Sequence, residues 1–349
     1  MEKKQLIAGI IVVLLVIAGI TVFILTSGTS DSDSKTASNK TYVTFVVNVN
    51  DYLKENLSAE TLDKLVDIFN KYNVKADFYF TEPVLKAHAE KHPGLIEKIK
   101  NSKNIGIGYH FRPPHPAYDV TIKKVMFNGE CRLTPSLSYG EMLEVLNNFE
   151  SYELNLAGFS TNKPAGFCAS YNSNKIGGYS YILDIFGKNA IVVGAANTVN
   201  SQLRQAELEV LKNKGARISI PVGHSGSSLG EDVAIKETDG LLERPSDFGI
   251  VFKDLFKASN TKGNSNFINV FNRNLTYVRS ILNRDIYSLI VVHENDFYKK
   301  GEWDDPIYWS AVQKADFIKD YEQLVKDISE RTDVQTINSQ DIIVLAEKQ

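Results

Sequence analysis

The chain has 349 residues, 43% of them hydrophobic and 23% charged, with a formal net charge of −3 and only two cysteines. That length buries one large core or two modest ones, and a single α/β domain is the simpler reading. With no lysine or arginine cluster beyond its first residues, the chain has no electrostatic footprint for nucleic acid, while uncharged polymers such as glycans stay open as partners.

Met1 to Lys4 carry two lysines, and Leu6 to Leu25 is an uncharged apolar run. A helix needs about 20 such residues to cross the hydrocarbon layer. Lysines before the run and an Asp/Ser-rich stretch after it predict a cytoplasmic segment over 1–5 and a transmembrane signal anchor over 6–25. The rest of the chain is then expected outside the cytoplasm, held at the cell membrane. No Ala-x-Ala-like cleavage site follows the run, although a cleaved signal peptide remains the competing reading. Residues 26–40 have almost no apolar side chains, cannot offset their ordering entropy by burial, and are expected to form a flexible linker to a domain over 41–349. Cys131 and Cys168 could form one disulfide outside the cytoplasm or stay as two buried thiols, and spacing alone does not decide.

From Thr41 on, β-branched and aromatic runs alternate with segments of helical period, the pattern of parallel strands joined by crossover helices. Strands are predicted over 42–49, 76–80, 105–109, 164–167, 190–194, 217–221, 287–292 and 334–337, which suits a barrel-like sheet of about seven strands. A first helix is expected after Ser58, with Leu62, Leu65, Val66, Phe69 and Tyr72 as its apolar stripe. Ser138 to Glu141 reads as a capping box opening a second, and further helices are expected over 202–214 and 311–331. His88 and His92 stand four apart in a lysine- and glutamate-rich stretch, which reads as a solvated helix face. Between 222 and 267 the apolar period fails while Gly, Ser, Asn and Asp accumulate, predicting a long surface insertion.

Three strand ends carry candidate chemistry. The first runs into Asn48-Val49-Asn50-Asp51-Tyr52, polar positions that need partners if buried. Gly106 to His115 follows a strand with His110 and His115, stiffened by Pro113 and Pro114. Two histidines and a carboxylate, Asp51, make the donor set of a catalytic metal site with room for water. A late apolar strand delivers His293, followed by Glu294 and Asp296, as a general acid or base.

This order of motifs resembles the polysaccharide deacetylase family, the NodB-homology carbohydrate esterases, from about Thr41 onward. Asn48-Val-Asn-Asp51-Tyr is similar to the family's first motif, Asp-Val-Glu-Asp-Tyr/Trp, and Val74 to Phe80 to its second strand. His110 and His115 fall where the family has its metal-binding histidine pair, Lys163-Pro164-Ala-Gly where it has Arg-x-Pro-Gly, and Val292-His293 where it has its closing leucine-histidine motif. The resemblance implies a distorted (β/α) barrel of about seven strands and metal-dependent hydrolysis of N-acetyl groups, a non-peptide C–N bond, on a polysaccharide or glycan. By the same resemblance Asp51, His110 and His115 would hold a divalent ion, zinc by preference, and His293 would protonate the departing amine. Lys163, Pro164 and Arg112 would line the substrate site.

The departures define a second expectation. Asn48 stands where the family has an aspartate base, and an amide cannot take a proton from water. Loss of a positioned base costs roughly 100- to 10,000-fold in rate. Glu82, Asp119, Glu294 and Asp296 are candidate substitutes. The histidine pair is one residue wider than the usual spacing, and Lys163 replaces the usual arginine. A catalytically impaired member that binds glycan or scaffolds an envelope complex is therefore the alternative function. A non-haem iron oxygenase would share the donor set, but the strand–helix alternation argues against its usual all-β sheet.

Overall fold

The computed structural model describes residues 39–51, 54–110, 117–119, 124–126, 151–155, 170–172, 185–186, 190–194, 209, 212–213, 215–220, 235–238, 240–262, 267–300 and 307–349. The expected membrane anchor, the strand at 164–167, the capping box at Ser138 and both cysteines lie outside them. Among the described residues no helix is long and apolar enough to cross a membrane.

The chain opens with β1 (Thr41–Val49), α1 (Glu55–Lys71), β2 (Ala76–Phe80), α2 (Glu82–Lys91), α3 (Pro93–Asn101) and β3 (Ile105–His110). Two short antiparallel pairs follow, β4 (Ala117–Asp119) with β5 (Lys124–Met126) and β6 (Ser151–Asn155) with β7 (Ser170–Asn172). Next come β8 (Ala190–Gly194), β9 (Ile218–Ile220), β10 (Lys236–Thr238), β11 (Leu241–Glu243), β12 (Phe248–Val251), α4 (Phe252–Lys262), α5 (Phe267–Ile281) and β13 (Ile286–His293). A short 3-10 turn (Glu294–Phe297), α6 (Ala311–Ser329), β14 (Val334–Thr336) and α7 (Ser339–Ala346) complete it.

The main sheet has ten strands in the order β10-β11-β9-β8-β3-β2-β1-β13-β12, with β14 set against β1. Its pairs are parallel except β10–β11. The alternation of strand and helix thus yields the expected parallel α/β sheet, with ten strands rather than about seven. Among the described residues no pairing joins β12 back to β10.

Side chains alternate between two cores because the strand period is two. Val43, Phe45, Val47 and Val49 enter the larger core, with Leu62, Leu65, Val66 and Phe69 of α1 and Phe317, Tyr321 and Leu324 of α6. Tyr42 and Val46 enter the smaller core with Tyr287, Leu289 and Val291 of β13 and Ile342 and Ile343 of α7. Burial on both faces is why these strands read as continuous apolar runs. Ring contacts of Phe252 with Phe267, Phe317 and Tyr321 tie α4, α5 and α6 together, each worth about 0.5–1.5 kcal/mol beyond its burial.

Two sequence expectations need correction. Residues 235–262 are not a surface insertion: they supply β10, β11, β12 and all of α4, and Leu241, Phe248, Ile250, Phe252 and Phe256 are core residues. The charges that masked them are themselves buried, for Arg244, Asp247 and Lys253 are at most 9% exposed. Each is paired, with Asp77, Arg284 and Asp296 in turn. His88, read as solvated, is fully buried, and its Nε2 lies 3.1 Å from the Ser58 hydroxyl. Ser58 therefore serves the interior of α1, and the helix begins at Glu55, four residues before the start expected after Ser58.

Candidate active site

The parallel strands deliver their carboxyl ends to one edge, the usual location of a ligand site in such sheets. In the β1–β13 register Asn48 lies opposite His293, and both belong to the face that carries Val46 and Val291. Asn48 is 3% exposed, and its Nδ2 is 3.2 Å from His293 Nε2. On the other side of the ring, His293 Nδ1 is 3.3 Å from Asp296 Oδ2, and the same oxygen accepts from the His293 backbone N–H at 2.9 Å.

For a neutral ring these contacts match one tautomer. A neutral imidazole facing a carboxylate keeps its proton on Nδ1, which leaves Nε2 to accept from the Asn48 amide. Burial alone would raise the Asp296 carboxyl, but its hydrogen bond to His293 and the Lys253 ammonium, 2.7 Å from Oδ1, outweigh that and bring it down to about 2. Trp309 Nε1 donates to the Asp296 carbonyl at 2.8 Å and fixes the turn that carries it. The Asp296 carboxylate therefore orients the His293 ring, with its outer nitrogen aimed at the Asn48 amide.

Asp51 lies two residues beyond the end of β1 and is fully buried. Its Oδ2 accepts from the Lys299 ammonium at 2.6 Å and from the Tyr298 hydroxyl at 3.0 Å. Burial and the negative charges of Glu294 and Asp51 push the Tyr298 phenol well up, so it stays a donor. Glu294 Oε1 accepts from the backbone N–H groups of Asn50, at 2.6 Å, and Asp51. Burial, followed by the Asp51 charge, raises the Glu294 carboxyl to about 8, so at neutral pH it is largely protonated. Asp51 Oδ1, Glu294 Oε2 and both polar atoms of the Asn50 amide have no hydrogen-bond partner among the described residues.

The sequence candidates are only partly brought together. Asn48, Asp51 and His293 share one end of β1 and β13. His110, 6% exposed, ends β3, and the pairings Val49–Phe80–Tyr109 place it beyond the same sheet edge as Asp51, with β2 between. His115, Arg112, Lys163 and Pro164 lie outside the described residues. Of the substitute bases, Glu82 opens α2 and Asp119 ends β4, while Glu294 and Asp296 stand at the site itself. Lys299, Tyr298 and Lys253 escaped the sequence reading, since Lys299 and Tyr298 meet Asp51 from almost 250 positions away and carry no motif.

Of the donor set Asp51, His110 and His115, the described residues include the first two, and on the Asp51 side the carboxylate is not free for a divalent ion. One of that residue's oxygens is already paired with a buried ammonium. Among the described residues no group of three or more His, Cys, Asp or Glu is arranged to hold a metal ion.

The two glycines before His110 have a steric reason. A side chain on Gly108 would run into the Tyr79 ring, and one on Gly106 would meet Asp77 Oδ1. They clear the space for a buried polar network under the site. In it Asp77 Oδ2 accepts from Arg244 at 2.8 Å and from the Ser339 hydroxyl at 2.6 Å, while Arg244 also donates to the Tyr79 hydroxyl.

No family model and no curated protein matches the chain. Solved structures that resemble it include 4-alpha-glucanotransferase from Thermococcus litoralis, at 10% identity and a TM-score of 0.47 over 88% of this chain. This chain spans only 40% of that enzyme's length. A probable polysaccharide deacetylase from Pseudomonas aeruginosa PAO1 matches at 8% identity and 0.46, covering 89% of this chain and 92% of its own. A Mycobacterium smegmatis protein described as a polysaccharide deacetylase matches at 12% and 0.42, covering 92% and 96%. Polysaccharide deacetylases thus stand among the structures this chain resembles. At these values the functional reading rests on the side chains themselves.

Proposed function

We propose that the chain is a polysaccharide-deacetylase-like protein that recognises an N-acetylated glycan at the carboxyl edge of its sheet, with hydrolysis impaired. The observation that carries this is the Asn48–His293 hydrogen bond at 3.2 Å. It puts an amide that cannot accept a proton where the resembled family keeps its base, and it ties up His293 Nε2. The unpartnered polar atoms of Asn50, Asp51 and Glu294 offer hydrogen bonds to a polar ligand. The parallel strand order supports the distorted-barrel form of the fold. The lysine-flanked apolar run at 6–25 supports anchoring in the membrane with the domain outside the cytoplasm; protease added to intact cells is then expected to digest the domain.

A second reading, slow hydrolysis with His293 as the base, is favoured by the His293–Asp296 contact, which would stabilise a protonated ring. One experiment separates the two. The full chain is mixed with N-acetylglucosamine oligomers, and binding is followed by calorimetry while acetate is assayed, with and without added Co2+. Binding without acetate is expected for wild type, and acetate release for Asn48→Asp combined with Lys299→Met. Acetate from wild type that disappears in His293→Ala selects the hydrolase instead, and the lack of both binding and acetate in every form removes the glycan reading.

A further inference from the structure

We infer that Lys299 is a built-in cation that takes the position a metal ion would need at Asp51, and that it sets this end of the site against divalent metals. The ammonium lies 2.6 Å from Asp51 Oδ2, and the two side chains are 6% and 0% exposed. A surface lysine in a passing contact would not be so placed, because burying an unpaired ammonium or carboxylate is strongly unfavourable. Each group makes the other's burial possible.

The backbone around Lys299 is fixed on both sides. Its N–H donates to the Asn295 carbonyl at 2.7 Å, closing the turn that follows β13. Lys299 forms an antiparallel bridge with Tyr308, with Lys300 N–H donating to Ile307 at 2.8 Å and Trp309 N–H donating to Tyr298 at 3.0 Å. Tyr298, held in the same frame, donates its hydroxyl to the same carboxylate oxygen at 3.0 Å. The turn thus aims one positive charge and one hydroxyl at Asp51 Oδ2. A dication coordinated by that carboxylate would stand beside a buried ammonium, like charge against like.

The inference does not depend on whether the pocket takes a glycan, and its test uses metal alone. Thermal unfolding and bound-metal content of the full chain are measured after chelator treatment and again with Zn2+ or Co2+ added. Wild type is expected to show the same midpoint in both states, with no bound equivalent that Asp51→Asn removes. Lys299→Met, which keeps the length of the side chain and deletes its charge, is expected to unfold earlier without metal and to recover with it. Its Co2+ affinity should exceed wild type by roughly 100-fold or more, the scale of a like-charge juxtaposition removed, and Asp51→Asn in that background should abolish the gain. A metal-induced rise in the wild-type midpoint that Asp51→Asn abolishes overturns the inference even if Lys299→Met does not fold. So does a folded Lys299→Met protein that gains no metal.

Discussion

Arg244→Met tests the buried network under the site most directly. Arg244 and Asp77 have side chains 1% and 0% exposed and meet at 2.8 Å. Removing one partner of such a pair costs about 3–5 kcal/mol, because the other charge is left buried and unpaired. The structure indicates which end of that range applies. Without Arg244, Asp77 still accepts from the Ser339 hydroxyl at 2.6 Å, the Ser339 N–H at 3.2 Å and the Tyr79 hydroxyl at 3.4 Å, so Arg244→Met is expected near about 3 kcal/mol. Asp77→Leu strands an arginine that cannot lose its proton, and about 4–5 kcal/mol is expected. The double variant Asp77→Leu/Arg244→Met removes both charges and should be more stable than the sum of the singles by about 2–3 kcal/mol. Equilibrium urea unfolding of the four proteins gives that coupling as a double-mutant cycle. Single losses below about 1 kcal/mol, or additivity within about 0.5 kcal/mol, would show that water already serves the pair and that the network is not closed.

Two further outcomes follow from buried groups. Burial, with help from neighbouring His92 and against the opposing charge of Glu55, pushes His88 down to about 4. The unfolded chain binds this proton below about 6.5 while the folded chain refuses it, so the contribution is complete above that pH and is lost as pH falls towards 4. The loss is about 3 kcal/mol at ~1.4 kcal/mol per pH unit, and His88→Gln should remove it; parallel stability–pH curves for the two proteins refute the assignment. Tyr321 is fully buried, with a hydroxyl that has no hydrogen-bond partner among the described residues, so Tyr321→Phe should stabilise the fold by about 1 kcal/mol, measured by urea midpoint. A clear destabilisation would mean that the hydroxyl is solvated.

The sequence made some of this visible for identifiable reasons. Strands β1, β2, β3, β8 and β13 are buried or paired within a parallel sheet, and their β-branched and aromatic runs state that directly. The end of β13 was legible because an apolar run stops abruptly at His293. Residues 235–262 were opaque because their strands are only three or four residues long and their core contribution includes charged side chains. A reading by apolar period scores Arg244, Asp247 and Lys253 as solvent-facing, although each has its counter-charge elsewhere in the fold. His88 misled for a similar reason, since Lys86, Glu90 and Lys91 on the same helix announce a wet face while His88 itself turns in towards Ser58. Lys299 could not be read at all. Its meaning depends on one oxygen of Asp51, and nothing local marks it.

The edge of β1 that faces β2 is divided between two suitors. Phe45–Val49 pair with β2, while Thr41–Val43 pair with β14, whose follower Ile337 donates its N–H to the Val43 carbonyl at 2.9 Å. A ribosome releases Val43 long before Thr336, an interval of about 15–60 s at roughly 5–20 residues per second. During it, three residues of β1 present a bare backbone edge that any extended peptide could borrow. Quality control of this protein should therefore fall on nascent chains rather than finished ones, with chaperone demand ending only when residues 334–337 arrive to close the seam.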